Sequence, residues 1–421
     1  MRKKIPPLSH PVRASIRVPG SKSLTNRALI CASLAKGESR IINPSDSDDT
    51  ALMINGLNQL GVLVRKSDRG LVVEGTGGRL YAPKFPIPVG NAGTTLRFML
   101  SLAALAHGTT IFEGSPRMAE RPLEELQQSL SDLGVNVDRT VEQSRYAVQG
   151  GTFKGGRTVL NGERSSQFLS SLLLASPYAG HDVVIDVTGK LSSSSYIYLT
   201  LDVMTKFGVE VEKQGDRRFL TRAGQRYVPA SFSVEADASS ASYFFAAAAI
   251  CGGEVFVEGI ERNSLQGDVQ FLNVLEQMGC LVAAEPGGVR LTSSGVLRGV
   301  DVEMNSLPDA VPALAVTALF AQEPTTIRNI SHLHYKESDR VNALVTELRK
   351  LGANIQSVED RIEIRPARLT GASLDTHDDH RLAMSFALAG LKLEGVAVEN
   401  PDCVRKSFPK FWTEFEKLST S

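Results

Sequence analysis

Two kinds of apolar pattern alternate along the chain. The first is a run of small and apolar residues with almost no polar face: "TNRALICASLA", "TTLRFMLSLAALA", "SSQFLSSLLLASP", "SSASYFFAAAAIC", "AVPALAVTALFA" and "HRLAMSFALAG". A helix that is apolar all round belongs inside a protein, so these six segments predict buried inner helices. The second is a one-sided pattern, as in "DTALMINGLNQL", "RPLEELQQSLSDL" and "GDVQFLNVLEQM", with apolar residues at helical spacing and polar residues between them. Such segments predict amphipathic helices lying over a core. Between the helices stand short β-rich stretches such as "TTIFEG", "DVVIDV", "EVFVEG" and "TTIRNI".

The alternation has a period. "QLGV", "DLGV", "KFGV", "QMGC" and "KLGA" place Gly61, Gly134, Gly208, Gly279 and Gly352 at spacings of 73, 74, 71 and 73, each just after an amphipathic segment. A glycine there suits the left-handed position that ends a helix. A sixth copy would finish near the chain end, where "KFWTEFEKL" predicts a closing helix. The repeat is too long for short-unit solenoids, whose units run about 20–50 residues. Six α/β units grouped as two bodies of three are expected, with the midpoint crossover in "RYVPASFSVEADASS".

Charge changes the picture at the helix starts. Overall, 46 basic and 46 acidic residues cancel, which argues against a general nucleic-acid or membrane-surface binder. Yet Arg27, Arg97 and Arg381 are expected in the first turns of inner helices, and Arg121 stands before Pro122, an expected first helical residue. "PGSKSLTNRALI" adds Lys22 at another start. Cations are disfavoured at that end of a helix by about 0.3–1 kcal/mol, whereas anions are attracted to it. Converging cations therefore predict an anionic ligand; the alternative is surface arginines beside misplaced helix starts.

No run is apolar and long enough to predict a membrane span. "MRKKIPPLSHP" lacks the apolar stretch of a secretory signal. The four cysteines, Cys31, Cys251, Cys280 and Cys403, have no metal-ligand or CxxC spacing; three lie in apolar surroundings and are expected as reduced core residues of a cytoplasmic protein.

Several short constellations could carry chemistry. "VGNAGTTLRFML" brings glycines to a helix start, where backbone N–H groups can approach an oxyanion. "HYKESDRVNAL" sets Lys336 and Arg340 one turn apart beside Glu337. "SLPDAVPALAV" isolates Asp309 at an inner-helix start, as a cap or as a base in a dry cleft. "THDDHRLAM" has histidines and acids, but Arg381 among them argues against a metal, and neither metal nor cofactor is expected.

Taken together, "PGSKSLTNRAL", "GNAGTTLR", "RMAERP", "SSQFLSSLLLASP", "DASSASYF", "RNSLQGD", "PDAVPALAVTALFA", "KESDR", "DDHRLAM" and "KSFP" resemble, in order, the motifs of the 5-enolpyruvylshikimate-3-phosphate synthase family, over about residues 11–415. The resemblance implies an α/β (α+β) fold, a two-domain inside-out α/β barrel, each domain built of three βαβαββ-type units around buried parallel helices. The domains are expected as 15–233, and 1–14 with 234–421, with crossings near 14–21 and 231–237.

The family transfers the enolpyruvyl group of phosphoenolpyruvate to the 5-hydroxyl of shikimate 3-phosphate, on the route to chorismate and the aromatic amino acids. By resemblance, shikimate 3-phosphate is contacted by Lys22, Ser23, Arg27, Ser165, Ser166, Gln167, Ser193, Tyr196, Asp309, His332 and Lys336. Phosphoenolpyruvate is contacted by Lys22, Gly93, Arg121, Gln167, Arg340, Arg381 and Lys406. Asp309 is implied as proton acceptor and Glu337 as proton donor, with Lys22 a further proton carrier.

Two positions depart from the family pattern: His332 stands where many members have Asn, and Phe98 where Pro is common, with an expected effect on how Gly93 presses on the smaller substrate. The resemblance further implies inhibition by glyphosate. A monomer with no nucleic-acid or membrane partner is expected, and like charges facing each other in a two-body design suggest halves drawn together by the dianionic substrate. Two rivals are a UDP-N-acetylglucosamine enolpyruvyl transferase, disfavoured because "GSPRMAERP" lacks that branch's cysteine, and a non-catalytic repeat scaffold.

Overall fold

The structure, a computed structural model, describes residues 1–419. The chain forms two compact units, Gly20–Val234 and Met1–Pro19 with Glu235–Ser421. Both are of the mixed α/β class, and among the described residues no helix is long and apolar enough to cross a membrane.

One sheet plan recurs: two parallel strands, then two antiparallel ones. In Gly20–Val234 it is built from Ile87–Gly90, Thr109–Gly114, Arg145–Gln149 and Val137–Thr140, and again from Gly156–Asn161, Val183–Thr188, Arg218–Thr221 and Glu212–Gln214. Parallel neighbours require a crossover, and the buried helices Gly93–Ala103 and Ser166–Ala175 supply it. The remaining four-stranded sheet of this unit recruits its parallel strand from far along the chain: Ser231–Ser233 lies beside Lys36–Ile42.

The other unit repeats the plan with Val12–Arg17, Gly253–Glu258, Gly288–Ser293 and Leu281–Glu285, and with Asp301–Glu303, Thr325–Arg328, Arg361–Arg365 and Asn354–Val358. Its shorter sheet joins Ser373–Leu374, Ala397–Glu399 and Arg2–Lys4. Pairing of Val12–Arg17 along Gly253–Glu258 keeps residues 15–19 with this unit, whereas the sequence boundary assigned them to the other.

The segments read as apolar all round form the helices Lys22–Leu34, Gly93–Ala103, Ser166–Ala175, Ala238–Cys251, Val311–Ala318 and His380–Gly390, and nearly every residue in them is buried. Some of their serines find partners between helices. Ser101 and Ser171 share a hydrogen bond of 2.6 Å, and Ser171 Oγ also donates to the Arg97 carbonyl.

The periodic glycines close the outer helices in one way. Gly61, Gly134, Gly208, Gly279 and Gly352 have φ of 95°, 87°, 82°, 108° and 83°. In each case the glycine N–H donates to the carbonyl three residues back, and the following N–H reaches the carbonyl five residues back, as Val62 does to Leu57 at 3.0 Å. That is the Schellman closure, and it turns a buried residue (Val62, Val135 or Val209) into the core. At Gly61 the nearest atom to an added methyl group is 3.9 Å away, so backbone strain alone opposes a side chain. Gly61→Ala is expected to lose about 1 kcal/mol in urea unfolding at unchanged m value; a loss below a few tenths would refute the closure.

Candidate active site

In the unit Gly20–Val234, Ser21 caps the first inner helix by accepting from Leu24 N at 3.5 Å. The helix therefore starts at Lys22, and it is Lys22, not Arg27 as the sequence suggested, that occupies the first turn. Lys22 Nζ donates to Asp49 Oδ2 at 2.8 Å. Asp49 is the second residue of the helix Asp48–Gln59, and its backbone carbonyl accepts from Thr95 Oγ1 at 3.2 Å. Ser23 follows Lys22 in the same turn.

Arg27 sits deeper, in the second turn. Its Nε donates to Thr200 Oγ1 at 2.7 Å, Nη1 to the Ser23 carbonyl at 2.9 Å, and Nη2 to Ser170 Oγ at 3.2 Å and the Tyr196 carbonyl at 3.1 Å. Phe98 and Tyr196 flank the guanidinium, with ring centroids 5.2 and 5.8 Å away. Burial lowers this group from its ordinary value to about 10. Phe98 thus also packs against Arg27, a contact the sequence did not signal.

Arg97 also lies in a second turn, because its helix starts at Gly93. Its Nη1 donates to Gln167 Oε1 at 2.6 Å and its Nη2 to the Pro122 carbonyl at 3.1 Å. The amide oxygen of Gln167 is therefore occupied, and its Nε2 donates to Thr94 at 3.1 Å. Sequence reasoning gave Arg97 no task beyond its charge; its orienting of Gln167 depends on two repeats meeting.

Arg121 ends the short helix Pro116–Glu120, and the next helix starts at Glu124, two residues later than Pro122 implied. Its Nη1 donates to the carbonyl and Oδ1 of Asn91, both at 3.2 Å. A methyl group at Gly93 would lie 2.7–2.8 Å from three atoms of the Arg121 guanidinium. Ser165 caps Ser166–Ala175 by accepting from Gln167 N at 3.3 Å, and Ser166 opens that helix. Ser193 adopts φ 54° before the helix Ser195–Lys206, which carries Tyr196, and the buried Ser193 Oγ makes no hydrogen bond.

The other unit gathers charge of both signs. Asp309 lies in the turn Pro308–Ala310 that leads into Val311–Ala318. Its Oδ1 accepts from Arg340 Nη1 at 2.7 Å and its Oδ2 from Arg381 Nη2 at 3.0 Å. Arg340 opens Arg340–Lys350, is 1% exposed, and also donates to Glu337 Oε2 and Asp379 Oδ2, both at 2.8 Å. Arg381 Nη1 donates to the Tyr243 hydroxyl at 3.3 Å.

Burial alone would push Asp309 upward, but Arg381, Arg340 and Lys336 hold it well below the usual carboxylate range. Conversely, burial would lower Arg340, and Asp379, Glu337 and Asp309 raise it. His332 is buried in the turn Ser331–Tyr335, Lys336 follows in extended conformation, and Lys406 ends the turn Pro401–Lys406.

Two acids in this cluster escaped the sequence reading. Asp379 caps His380–Gly390 through Arg381 N at 2.9 Å while binding Arg340 and accepting from Ser338 Oγ at 3.0 Å. "DDHR" signalled a cap, but its service to a distant arginine needs the fold. Asp268 is buried and accepts from Ser239 Oγ at the start of Ala238–Cys251. Burial first, and then the neighbouring Asp309, push its carboxyl up to about 7.

The family model described as EPSP synthase (3-phosphoshikimate 1-carboxyvinyltransferase) matches residues 8–415. The chain is 44% identical to 3-phosphoshikimate 1-carboxyvinyltransferase of Nostoc punctiforme over 99% of its length and 98% of that protein. Against the protein of the same name from Methanoculleus marisnigri it is 45% identical over 96% of both. A solved EPSP synthase from Acinetobacter baumannii, 24% identical, shares the fold with a TM-score of 0.82 over 99% of this chain and 98% of that one.

The raised Asp268 value makes a stability prediction. The folded protein keeps this proton where an unfolded carboxyl has lost it, so the group's contribution is full below about pH 4 and is lost as pH rises to about 7. Asp268→Asn cannot ionise. Its Tm advantage over wild type is expected to grow between pH 4 and pH 7 and then level off; a pH-independent difference in thermal melts would refute the assignment.

Proposed function

Since the chain belongs to the EPSP synthase (3-phosphoshikimate 1-carboxyvinyltransferase) family, we propose that it transfers the enolpyruvyl group of phosphoenolpyruvate to the 5-hydroxyl of shikimate 3-phosphate, releasing phosphate. The observation that carries this reading is Asp309, a carboxylate gripped by two arginines at helix starts. Such forks suit the carboxylate and phosphate of a small dianion.

In this proposal Lys22, Ser23, Arg27, Ser165, Ser166, Gln167, Ser193, Tyr196, Asp309, His332 and Lys336 are assigned to shikimate 3-phosphate. Lys22, Gly93, Arg121, Gln167, Arg340, Arg381 and Lys406 hold phosphoenolpyruvate. The buried Ser193 Oγ, which makes no hydrogen bond in the protein, fits a phosphate oxygen.

Addition comes first. The 5-hydroxyl oxygen bonds to C2 of phosphoenolpyruvate and loses its proton to a base, while C3 takes a proton from an acid and becomes a methyl group. Elimination reverses the proton traffic: the methyl group returns a proton, the C2–phosphate oxygen bond breaks, and phosphate leaves. Asp309 is assigned as acceptor and Glu337 as donor, with Lys22 able to carry a proton.

The network explains how a carboxylate held so low can work as a base. An incoming anion competes with Asp309 for Arg340 and Arg381, and each donor withdrawn raises its basicity. The same competition loosens Arg340 from Glu337, freeing that carboxyl to hold a proton. In this proposal the reaction is cytoplasmic and the enzyme acts as a monomer.

A phosphate-release assay with each substrate omitted in turn tests the reading. Release is expected only with both; release from phosphoenolpyruvate alone, or none at all, would end it. Glyphosate is expected to inhibit in competition with phosphoenolpyruvate. Gly93→Ala must displace the Arg121 guanidinium, so its glyphosate inhibition constant should rise about tenfold or more, the equivalent of losing one charged hydrogen bond, with KM for phosphoenolpyruvate rising too. Equal inhibition constants for the two proteins would contradict this.

A further inference from the structure

The helix Arg340–Lys350 carries Arg340 at its start and, two turns later on the same face, Glu347. The Glu347 side chain is only 2% exposed, yet the chemistry above gives it no part. Its Oε2 accepts the backbone N–H of Asp375 at 2.8 Å, its Oε1 lies 3.2 Å from His377 Nε2, and Lys350 Nζ closes the set at 2.7 Å.

The residues it touches lead into a strained turn. His377 and Asp378 are consecutive non-glycine residues with φ of 49° and 55°. Side-chain-bearing residues stay in that region only where surrounding structure holds them, and such strain gathers at working sites. Beyond Glu347, Asn400 Nδ2 donates to Asp378 Oδ1 at 3.0 Å, and Asp379 N donates to the Thr376 carbonyl at 2.8 Å. The turn delivers Asp379, which binds Arg340 Nε at 2.8 Å and caps the helix of Arg381. One helix face thus clasps the turn twice, through Arg340 at one end and Glu347 at the other.

We infer that Glu347 is a positioning residue: by anchoring the turn 375–379 it sets Asp379, and through Asp379 the Arg340 guanidinium and the start of the helix that carries Arg381. The kinetic consequence rests on the proposed function; the mechanical one does not, so two readouts separate them.

In the full chain, amide hydrogen exchange at 376–379 and at Arg381 should speed up about tenfold or more in Glu347→Ala, with a smaller change in Glu347→Gln, which keeps an acceptor oxygen. In turnover, Glu347→Ala should raise KM for phosphoenolpyruvate about tenfold and leave KM for shikimate 3-phosphate within about twofold, because arginine forks recognise the smaller anion. A merely structural defect would lower stability or active fraction and leave both KM values alone. Exchange at 376–379 equal to wild type, or the two KM values moving together, would overturn the inference. If Glu347→Ala does not fold, His377→Ala removes one contact of the same anchor and should give the same local exchange signature at smaller size. A wild-type protein without turnover would refute the proposed function, and exchange would still decide the anchor.

Discussion

A guanidinium group stays in a protein interior when its charge is balanced there, and at Arg340 three carboxylates balance it through four hydrogen bonds: Asp309, Glu337 and Asp379. Removing one partner from a buried ion pair typically costs about 3–5 kcal/mol, because the remaining charge is left uncompensated. The arrangement also resolves the anomaly of cations at helix starts. Arg340 and Arg381 sit in first turns where the helix dipole opposes them, and the acids that the dipole favours stand beside them.

The two units manage their cations differently. In Gly20–Val234 the arginines rest mainly on neutral groups: hydroxyls, carbonyls and aromatic faces for Arg27, the amide of Gln167 for Arg97, and Asn91 for Arg121. Burial lowers Arg27 from its ordinary value. Such a surface suits the binding of a phosphate dianion. In the other unit carboxylates balance the arginines, and an anion arriving there must displace an internal partner. Displacement alters the affinity of that partner for protons, and addition–elimination needs groups of that kind.

The repeated fold explains how few local rules supply both halves. Each unit brings helix starts into the same relation to its sheets, so one geometry presents Ser165, Lys22 or Arg381 according to the residue standing there. Small side chains in the inner helices allow close approach, and some hydroxyls pair across it, as with Ser101 and Ser171. Functional individuality then enters where the plan is broken: at the two αL residues before Asp379, and at Ser193. These breaks are held by long-range contacts, Glu347 among them.

Much was legible in the chain itself. Helix-spaced apolar runs identified the buried helices, because a segment without a polar face has nowhere else to go. Periodic glycines identified the outer-helix ends, because only glycine takes the closing conformation without strain. The motifs around Lys22, Arg121, Asp309 and Arg340 named candidate residues and the family. Helix starts were less secure: Ser21 and the Gly93 turn set them several residues before Arg27 and Arg97, since capping depends on backbone geometry as much as on residue type. Only the tertiary structure decided which acid neutralises which cation. Asp49 serves Lys22 and Asp379 serves Arg340, and pairings between residues dozens of positions apart are fixed by how sheets and helices close on one another, which no local pattern encodes.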